Sequence, residues 1–257
     1  MPTQVAIMGC GPSALFAAEG VAQAGHEPII MAIKRKSQLF GAQYLHEAIP
    51  DVPARDFPLQ VIKIGTKEGY AFKVYGDSNA PVSWNSYKEG TIKAWSLHDA
   101  YDFLWDKYEP SIQDMTLGVG DIGVIAVHYP LTLCSIPAHA ICGAHDEHKF
   151  VSQEIHVQHV PSDPSAASQI IYNGEGARAE WYRFSRINGT SAWEFADAGT
   201  APDDWTAVVT GFKPIETSCT CWLTYQGFHR IGRYGRWSKG VLTHHAYAEA
   251  IGLCSAL

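Results

Sequence analysis

Hydrophobic residues in the first part of the chain follow a pattern that predicts a strand, a helix and a second strand. Residues 4–8 form a short apolar run that ends at Gly9, which predicts a buried strand followed by a turn. Residues 15–24 are apolar and rich in alanine, which predicts a helix ending at Gly25, and residues 28–33 predict the second strand. This order is typical of a βαβ unit, in which the two strands are parallel neighbours.

Alternating residues further along the chain predict a second, antiparallel sheet. Residues 59–64 and 70–75 alternate between apolar and polar positions and are joined by a connection that contains glycine, which predicts a hairpin. Residues 168–173 and 181–187 predict another hairpin of the same sheet. Residues 197–204 follow it and predict a linker.

Between these hairpins the pattern changes to a loop, a helix and a buried strand. Residues 37–58 have neither helical nor strand periodicity and predict a long ordered loop or a broken helix. Ser96 followed by Asp99 predicts an N-capped helix that ends before Pro110. Residues 123–136 are rich in β-forming side chains, and their last part is typical of a buried parallel strand.

Together these elements predict an α/β fold, in which a Rossmann-type parallel sheet carries an inserted, smaller antiparallel sheet. Because the elements alternate between the two sheets, residues 1–257 are predicted to form one interleaved unit. The predicted nucleotide-binding lobe comprises residues 1–58, 115–150 and 205–257, and the predicted substrate-side lobe comprises residues 59–114 and 151–204.

The turn after the first strand carries the strongest chemical signal in the sequence. Gly9, Gly11 and Ala14 form a Gly-x-Gly-x-x-Ala motif between a predicted strand and a predicted helix. Gly9 permits the tight turn, Gly11 lets the backbone approach a pyrophosphate, and Ala14 lets the helix pack against its strand. Pro12 and Ser13 complete the turn at the helix N-terminus, where free N–H groups favour an anion. The structural alternative is a glycine turn that binds nothing.

The end of the second predicted strand lacks the carboxylate that usually binds the adenosine ribose. Ala32 occupies that position and cannot accept a hydrogen bond, and Lys34, Arg35 and Lys36 follow directly. This basic cluster fits the 2′-phosphate of an NADP-type ligand, or the pyrophosphate and adenine of a flavin nucleotide. A solvated basic turn is the structural alternative.

The composition is that of a globular protein with a full core. The 257 residues are 46% hydrophobic and only 18% charged, and the net charge of −7 disfavours a general nucleic-acid binder. No stretch resembles a membrane span, and the first apolar run belongs to the glycine motif rather than to a signal peptide. We therefore expect a cytoplasmic protein that acts on a small molecule, without nucleic-acid or membrane partners; the pattern leaves the oligomeric state open.

The cysteines predict neither a disulfide framework nor a metal site. Six cysteines are spread along the chain without a Cys-x-x-Cys pair, which favours reduced, buried thiols. Cys219 and Cys221, with His244 and His245 downstream, imitate a zinc site. However, cysteines two positions apart in a strand point to opposite faces, so no metal site is predicted.

A second glycine-rich segment near the C-terminus also fits a nucleotide. Gly232 and Gly235 permit a close approach of the backbone, and Arg233 or Arg236 can bind a phosphate in a bidentate manner. Trp237 can stack on a flat ring. A helix predicted to start near residue 240 then offers its N–H groups to an anion. The structural alternative is an exposed basic turn before a surface helix.

Taken together, the two glycine-rich segments resemble those of UDP-galactopyranose mutases and amine-oxidase-like flavoproteins. The resemblance rests on Gly-x-Gly-x-x-Ala at residues 9–14 and Gly-Arg-x-Gly-x-Trp at residues 232–237. It implies that the parallel sheet binds FAD, with the first segment at the pyrophosphate and the second beside the pyrophosphate, ribityl chain and isoalloxazine. The residues to which it assigns these roles are Gly9, Gly11, Ser13, Ala14, Gly232, Arg233, Trp237, Gly240 and Val241.

The chain also departs from that family. Ala32 replaces the acidic ribose ligand, Gly41-Ala42 replaces a Gly-Gly pair, and the helical substrate domain is mostly absent. The loop residues Gln43, Tyr44 and Leu45, together with Lys34 and Arg35, are therefore further candidates for contacts with FAD.

These features predict an FAD-dependent oxidoreductase. The catalytic candidates are His46 as a proton shuttle, Arg183 as an anion clamp, and Tyr182 beside it on the predicted hairpin. Each of the three has a structural alternative, as a loop hydrogen bond, a surface ion pair or a packed strand residue. Two other functions stay open: an NADP-dependent reductase without flavin, and a non-catalytic nucleotide-binding or sensor protein.

Overall fold

The computed structural model describes residues 2–82, 84, 88–196 and 208–257. Its strands and helices are, in chain order, β1 (Gln4–Met8), α1 (Pro12–Gln23), β2 (Glu27–Ala32), β3 (Tyr44–Leu45), β4 (Asp56–Gly65), α2 (Lys67–Tyr75), β5 (Gly90–Ser96), α3 (Leu97–Tyr108), β6 (Gln113–Asp114), α4 (Val119–His128), β7 (Thr132–Cys134), β8 (Phe150–Pro161), β9 (Gln169–Gly174), β10 (Arg183–Ile187), β11 (Thr190–Phe195), β12 (Val208–Thr217), β13 (Phe228–Arg230), α5 (Gly232–Arg236) and α6 (His245–Cys254).

The first sheet, which we call sheet A, is parallel and buried on both faces. Within the described chain it has five strands in the order β13–β7–β1–β2–β6. Val5 and Ile7 of β1 pack against α1, α3 and α6, whereas Ala6 and Met8 face the side covered by α4. Because helices cover both faces, β1 reads as a continuous apolar run rather than an alternating one.

The second sheet, sheet B, is mostly antiparallel and larger than sheet A. Its eight strands, counted over the described residues, have the order β12–β8–β11–β10–β9–β4–β5–β3. The pairing of β4 with β9 is parallel, so the sheet is mixed. The predicted α/β class and its parallel sheet are confirmed, and the predicted hairpin of β9 and β10 forms with the expected antiparallel pairing.

Several elements cross the boundaries of the two predicted lobes, and the division into lobes stays a prediction. β12 belongs to sheet B, although residues 205–257 are predicted to join the parallel lobe. Conversely, α3 packs beside α1 on sheet A, although it lies within the predicted substrate-side lobe. The predicted linker at residues 197–204 lies outside the described residues.

Helices α1 and α6 bring the two ends of the chain into contact. A Cβ atom at Gly20 of α1 would lie only 2.6 Å from the carbonyl oxygen of Tyr247 in α6, so the two helices meet backbone to backbone at this glycine. The hydroxyl of Tyr247 also donates a hydrogen bond of 2.6 Å to Gln23 Oε1 at the end of α1. The last helix is therefore part of the core beside the first.

Two predicted strand segments are wrong, because both are helices. Residues 70–75 lie in α2, where the Thr66 hydroxyl accepts a hydrogen bond from the Gly69 N–H and Gly76 ends the helix at a φ of 73°. Residues 123–128 lie in α4, whose exposed valines look like a strand pattern in the sequence. The helix predicted after Ser96 is confirmed, with the Ser96 hydroxyl accepting from the Asp99 N–H.

Within the part of the chain that the structure describes, every helix is too short or too polar to traverse a lipid bilayer.

Candidate functional site

Three neighbouring strands of sheet A bring the two glycine-rich segments to the same edge. Met8 of β1 and Arg230 of β13 each pair with Cys134 of β7, so the three strands end at one level. Gly9 follows β1 directly, and Gly232 lies two positions after β13. Ligands of open α/β sheets bind at this carboxyl edge of the strands.

The two glycine-rich segments are in direct contact. A Cβ atom at Gly232 would lie 2.5 Å from the Cβ of Ser13, and the φ of Gly232 is +68°, which disfavours any other residue. The first turn of α1 therefore touches the first turn of α5, although more than two hundred residues separate them in the sequence. The contact places the two glycine-rich segments side by side at the edge of sheet A, with Gly232 itself buried.

The turn between β1 and α1 fits an anionic group. Gly9 has a φ of +111°, and a Cβ there would overlap the Ser135 hydroxyl. Gly11 has an ordinary φ of −70°, and a Cβ there would meet only the Ser37 Oγ at 3.4 Å, so this glycine keeps space open rather than avoiding strain. Among the described residues, no side chain caps the N-terminus of α1. Pro12 has no N–H group, and the N–H of Ala14 donates to the Gly11 carbonyl at 3.0 Å, so in the described first turn the N–H of Ser13 is the group available to a ligand.

The basic cluster after β2 is largely neutralised by carboxylates. Lys34 Nζ lies 2.7 Å from Glu109, and Lys36 Nζ lies 2.7 Å from Asp102. Arg35 is exposed, and over the described residues it has no carboxylate partner. The cluster therefore offers one unpaired cation, rather than three, to a 2′-phosphate.

The loop with Gln43, Tyr44 and Leu45 leads into the edge of sheet B. Tyr44 and Leu45 form β3 at this edge, and Leu45 is buried. The Gln43 side-chain amide donates to the carbonyl of Phe40. A Cβ at Gly41 would lie 2.8 Å from the Glu194 carboxylate, so the loop passes directly over that residue.

Glu194 is the centre of a buried charge network. Its side chain is 1% exposed and accepts hydrogen bonds of 2.6 Å from Arg183 Nε, 2.6 Å from Lys213 Nζ and 3.0 Å from the Tyr182 hydroxyl. Lys213 also donates to the Tyr182 hydroxyl at 2.9 Å. Arg183 lies opposite Glu194 in the β10–β11 register, which fixes the guanidinium against the carboxylate.

The charges of this network are strongly coupled. Burial opposes the ionisation of Glu194, but the positive charges of Arg183 and Lys213 outweigh it and lower the pKa of Glu194 to about 2. Burial and the adjacent Arg183 lower the pKa of Lys213 to about 7. Burial raises the pKa of Tyr182 well above its ordinary value. At neutral pH Glu194 is therefore ionised, whereas Lys213 is close to its titration point.

A cavity of about 90 Å³ opens beside the network. Four basic residues line it: Arg183, Lys213, Arg233 and Lys239. Aromatic side chains form part of its wall: Tyr70, Tyr75, Trp84 and Tyr172. Within the described ranges, neither Arg233 nor Lys239 pairs with a carboxylate, and burial beside Arg233 lowers the pKa of Lys239 to about 8. The cavity thus has uncompensated positive charge and fits an anion.

The cavity adjoins the second glycine-rich segment. Arg233 and Gly240 both line it, and Arg233 follows directly on Gly232, which contacts Ser13. The segment from Gly232 to Gly240 therefore carries candidate cofactor-binding residues and also lines the cationic cavity.

The three catalytic candidates occupy different environments. Arg183 faces the cavity, whereas Tyr182 is fully buried beneath it with its hydroxyl bonded to Glu194 and Lys213. His46 lies elsewhere, with its ring centroid 4.9 Å from that of Tyr44 and 5.8 Å from that of His244. Burial and the neighbouring His245 lower the pKa of His46.

Trp237 is held mainly by protein contacts. It is 5% exposed, its Nε1–H donates to the Val151 carbonyl at 3.0 Å, and its ring packs against His139 and Phe150. Little of the indole is left for stacking on a ligand. Val241 is half-buried after Gly240, and the final helix begins at His245 rather than near residue 240.

Sequence reasoning missed Glu194 and Lys213, although one signal pointed to the first. Asn188-Gly189, with φ values of 50° and 79°, forms the tight turn between β10 and β11. An Asn-Gly pair after a predicted strand is a hairpin signal, and the hairpin places Glu194 opposite Arg183. No comparable local signal marks Lys213.

A compact group of potential metal ligands lies beside Arg230, the last residue of β13. Cys142, His148, Cys219 and Cys221 each offer one ligand atom, and these atoms lie within 4.8 Å of one another. The premise that Cys219 and Cys221 point to opposite faces of a strand is wrong, since Cys219 follows β12 in a turn and Cys221 begins a short 3-10 helix. The group does not include His244 or His245.

Known proteins resemble this chain in its fold rather than in its sequence. No protein-family model matches the chain, and no curated protein matches it. The structure is similar to reduced UDP-galactopyranose mutase, with a TM-score of 0.61 and 11% identity over 99% of this chain and 93% of that one.

Two further solved structures give the same result. An FAD-containing monooxygenase from Photorhabdus luminescens superimposes with a TM-score of 0.54 and 10% identity, over 98% of this chain and 87% of that one. The flavin-dependent halogenase BrvH from Brevundimonas superimposes with a TM-score of 0.54 and 10% identity, over 99% of this chain and 72% of that one. The chain therefore has the fold of FAD-dependent enzymes, which confirms the predicted resemblance.

Proposed function

We propose that this chain binds FAD across its two glycine-rich segments and acts as an oxidoreductase on an anionic small molecule. The observation that carries the proposal is the contact between Ser13 and Gly232, since it makes one binding surface out of two segments that each fit a phosphate. The fold shared with FAD-dependent enzymes supports the same cofactor.

In this proposal the cofactor is held mainly by backbone groups. Gly11 and Ser13 would bind the pyrophosphate at the N-terminus of α1, and Gly232 and Arg233 would bind the extended part of the cofactor. FAD, when bound, supplies the electron or hydride transfer, and the protein supplies position and charge. Lys34 and Lys36 already pair with carboxylates, which disfavours a dedicated site for a 2′-phosphate and so favours FAD over NADP.

The substrate would be an anion with a flat or apolar portion. Arg233 and Lys239 bring positive charge without a carboxylate partner, and Tyr75 and Trp84 offer aromatic surface in the same cavity. Glu194 is a positioning residue, because it fixes Arg183 from below without facing the cavity itself. The proton-handling role falls on Lys213, whose pKa of about 7 suits it, rather than on His46.

The proposal is tested by purifying the protein, recording its absorbance in the near ultraviolet and blue, and identifying the molecule that heat releases. We expect a yellow protein that releases FAD. Colourless protein stabilised by NADP would support the reductase without flavin. Flavin that no anionic donor or nicotinamide reductant can reduce would support the non-catalytic alternative.

A substitution at Gly11 separates binding from folding. Gly11→Val adds atoms where only Ser37 Oγ lies nearby, so the variant should fold and lose FAD. Gly252→Ala is the matched control, because a Cβ there meets nothing within 4 Å and the site is on α6, away from the turn. Equal FAD content in both variants would refute the proposed cradle.

A further inference from the structure

We propose that Cys142, His148, Cys219 and Cys221 form a structural zinc site. Adjacent ligand atoms are separated by 3.2 Å (Cys142 Sγ to His148 Nδ1), 3.5 Å (Cys219 Sγ to Cys142 Sγ), 3.6 Å (Cys221 Sγ to His148 Nδ1) and 3.9 Å (Cys142 Sγ to Cys221 Sγ). A tetrahedral zinc ion with Zn–S near 2.3 Å and Zn–N near 2.0–2.1 Å places neighbouring ligand atoms about 3.5–3.8 Å apart. The four side chains thus already surround a space of the right size for one ion.

Arg230 supplies an independent sign that negative charge belongs in this cluster. The residue is 4% exposed, and its Nη2 donates to Cys219 Sγ at 3.2 Å. Its Nε and Nη1 are buried without a hydrogen-bond partner among the described residues, and no carboxylate there pairs with it. A buried guanidinium without a counter-charge is costly, so a negative group is expected beside it.

A zinc ion would balance this charge. Three thiolates, one neutral imidazole and one divalent cation together carry a net charge of minus one, which the Arg230 guanidinium offsets. The arginine thus takes the role that outer hydrogen-bond donors have around metal-bound thiolates.

The position of the cluster indicates what the metal would do. Cys142 and His148 lie just before β8, and Cys219 and Cys221 lie just after β12. β8 and β12 pair with each other, with Phe150 opposite Thr217 beside the cluster. Arg230 ends β13 in sheet A. The ion would therefore link the segment before β8 to the segment after β12, beside the end of β13. Because all four ligands come from the protein, the ion would have no open position for catalysis.

The donor set favours zinc over other metals. Three sulfur ligands and one imidazole in a tetrahedral arrangement are typical of zinc, whereas calcium and magnesium require oxygen ligands. An iron–sulfur cluster would need its cysteines farther apart than these, because the cluster itself fills the space between them. A cavity of about 50 Å³, lined in part by Cys221 and Arg230, gives an entry path for the ion.

Metal analysis of the full-length protein, purified without chelators, tests the proposal first. We expect about one zinc per chain and no stoichiometric iron. Less than about one tenth of a zinc per chain after incubation with zinc sulfate and removal of the excess would overturn the proposal. A Cys142–Cys219 disulfide found by peptide mass spectrometry in protein purified under reducing conditions would also overturn it.

Cobalt substitution tests the ligand set by spectroscopy, first in the wild-type protein and then in two cysteine variants. Cobalt(II) bound by thiolates in a tetrahedral site gives ligand-field absorption at longer wavelengths than a flavin absorbs, so the spectrum is readable with or without FAD. We expect this signal for the wild-type protein and for Cys254→Ser, whose buried thiol lies on α6 outside the cluster. Cys221→Ser should weaken the long-wavelength ligand-field absorption of cobalt and reduce zinc affinity about tenfold or more. An octahedral cobalt spectrum in the wild-type protein would contradict the site.

Discussion

The buried carboxylate of Glu194 allows a sharp test of the charge network beneath the cavity. Glu194→Gln keeps the shape of the side chain but removes its charge, so that Arg183 and Lys213 lose their common partner. Both cations are largely shielded, with side chains 21% and 19% exposed, so water compensates only part of the loss.

Two estimates agree on the size of the effect. Removing one partner of a buried ion pair lowers the free energy of unfolding by about 3–5 kcal/mol. The lowering of the pKa of Glu194 from 4.5 to about 2 corresponds to about 3 kcal/mol, since each pKa unit is about 1.4 kcal/mol. Because the two cations keep some contact with solvent, we expect the free energy of unfolding to fall by about 3 kcal/mol, at the lower end of the range.

The loss should also depend on pH in a defined direction. The folded state lowers the pKa of Glu194, so its stabilising effect is complete above the unfolded value near 4.5 and disappears as the pH falls through about 2. The difference between wild type and Glu194→Gln should therefore be larger at pH 7 than at pH 3.

Urea denaturation of the apoproteins, followed by tryptophan fluorescence, measures these differences. Asp56→Asn is the control, because Asp56 and its partner Lys93, 3.1 Å away, are both exposed, so the loss of this pair should cost less than about 1 kcal/mol. If Glu194→Gln lost no more stability than Asp56→Asn at pH 7, the assignment of Glu194 as the centre of the network would be refuted.

Three further predictions concern other parts of the structure. Gly232→Ala should lower the free energy of unfolding by about 1–3 kcal/mol and lower the FAD content, because position 232 has a φ of +68° and no room for a Cβ. In the same denaturation assay Gly252→Ala should leave the free energy of unfolding unchanged or raise it, because a Cβ there lies in open space. Ser96→Ala should lower the free energy of unfolding by about 1 kcal/mol, measured by urea titration, because it removes the N-cap of α3; an unchanged midpoint would show that the cap contributes little. Binding of inorganic sulfate, whose charge is constant over this range, should weaken about tenfold or more between pH 6 and pH 9 when measured by calorimetry, because Lys213 and Lys239 lose their charges near pH 7 and 8; an affinity independent of pH would contradict the cationic cavity.

Local signals in the sequence were sufficient where a few neighbouring residues determine the backbone. The glycine turn at residues 9–14 and the Ser96 cap were both predicted with the correct structure, since each depends on its own backbone hydrogen bonds. Residues 70–75 were predicted as a strand because their side chains alternate. The caps at Thr66 and Gly76, together with burial at Ala71 and Val74, stabilise a helix instead.

The candidate sites depend on distances that the sequence does not contain. Gly232 meets Ser13 only because β13 and β1 flank β7 in sheet A. Lys213 reaches Glu194 from β12, which is separated from β11 by β8. The pairing of β8 with β12 brings Cys142 and Cys219 together, and no local sequence motif predicts that pairing. Side chains that long-range strand pairing brings together could therefore not be found from local pattern alone.

The central claim is that the two ends of the chain bind a single extended cofactor, and a crystal structure of the protein with FAD tests it most directly. We expect the pyrophosphate to lie between the Gly11–Ser13 turn and Gly232, with the remainder of the cofactor following the segment from Arg233 to Gly240 toward the cationic cavity. FAD bound on another surface, or contacting only one of the two segments, would contradict the account.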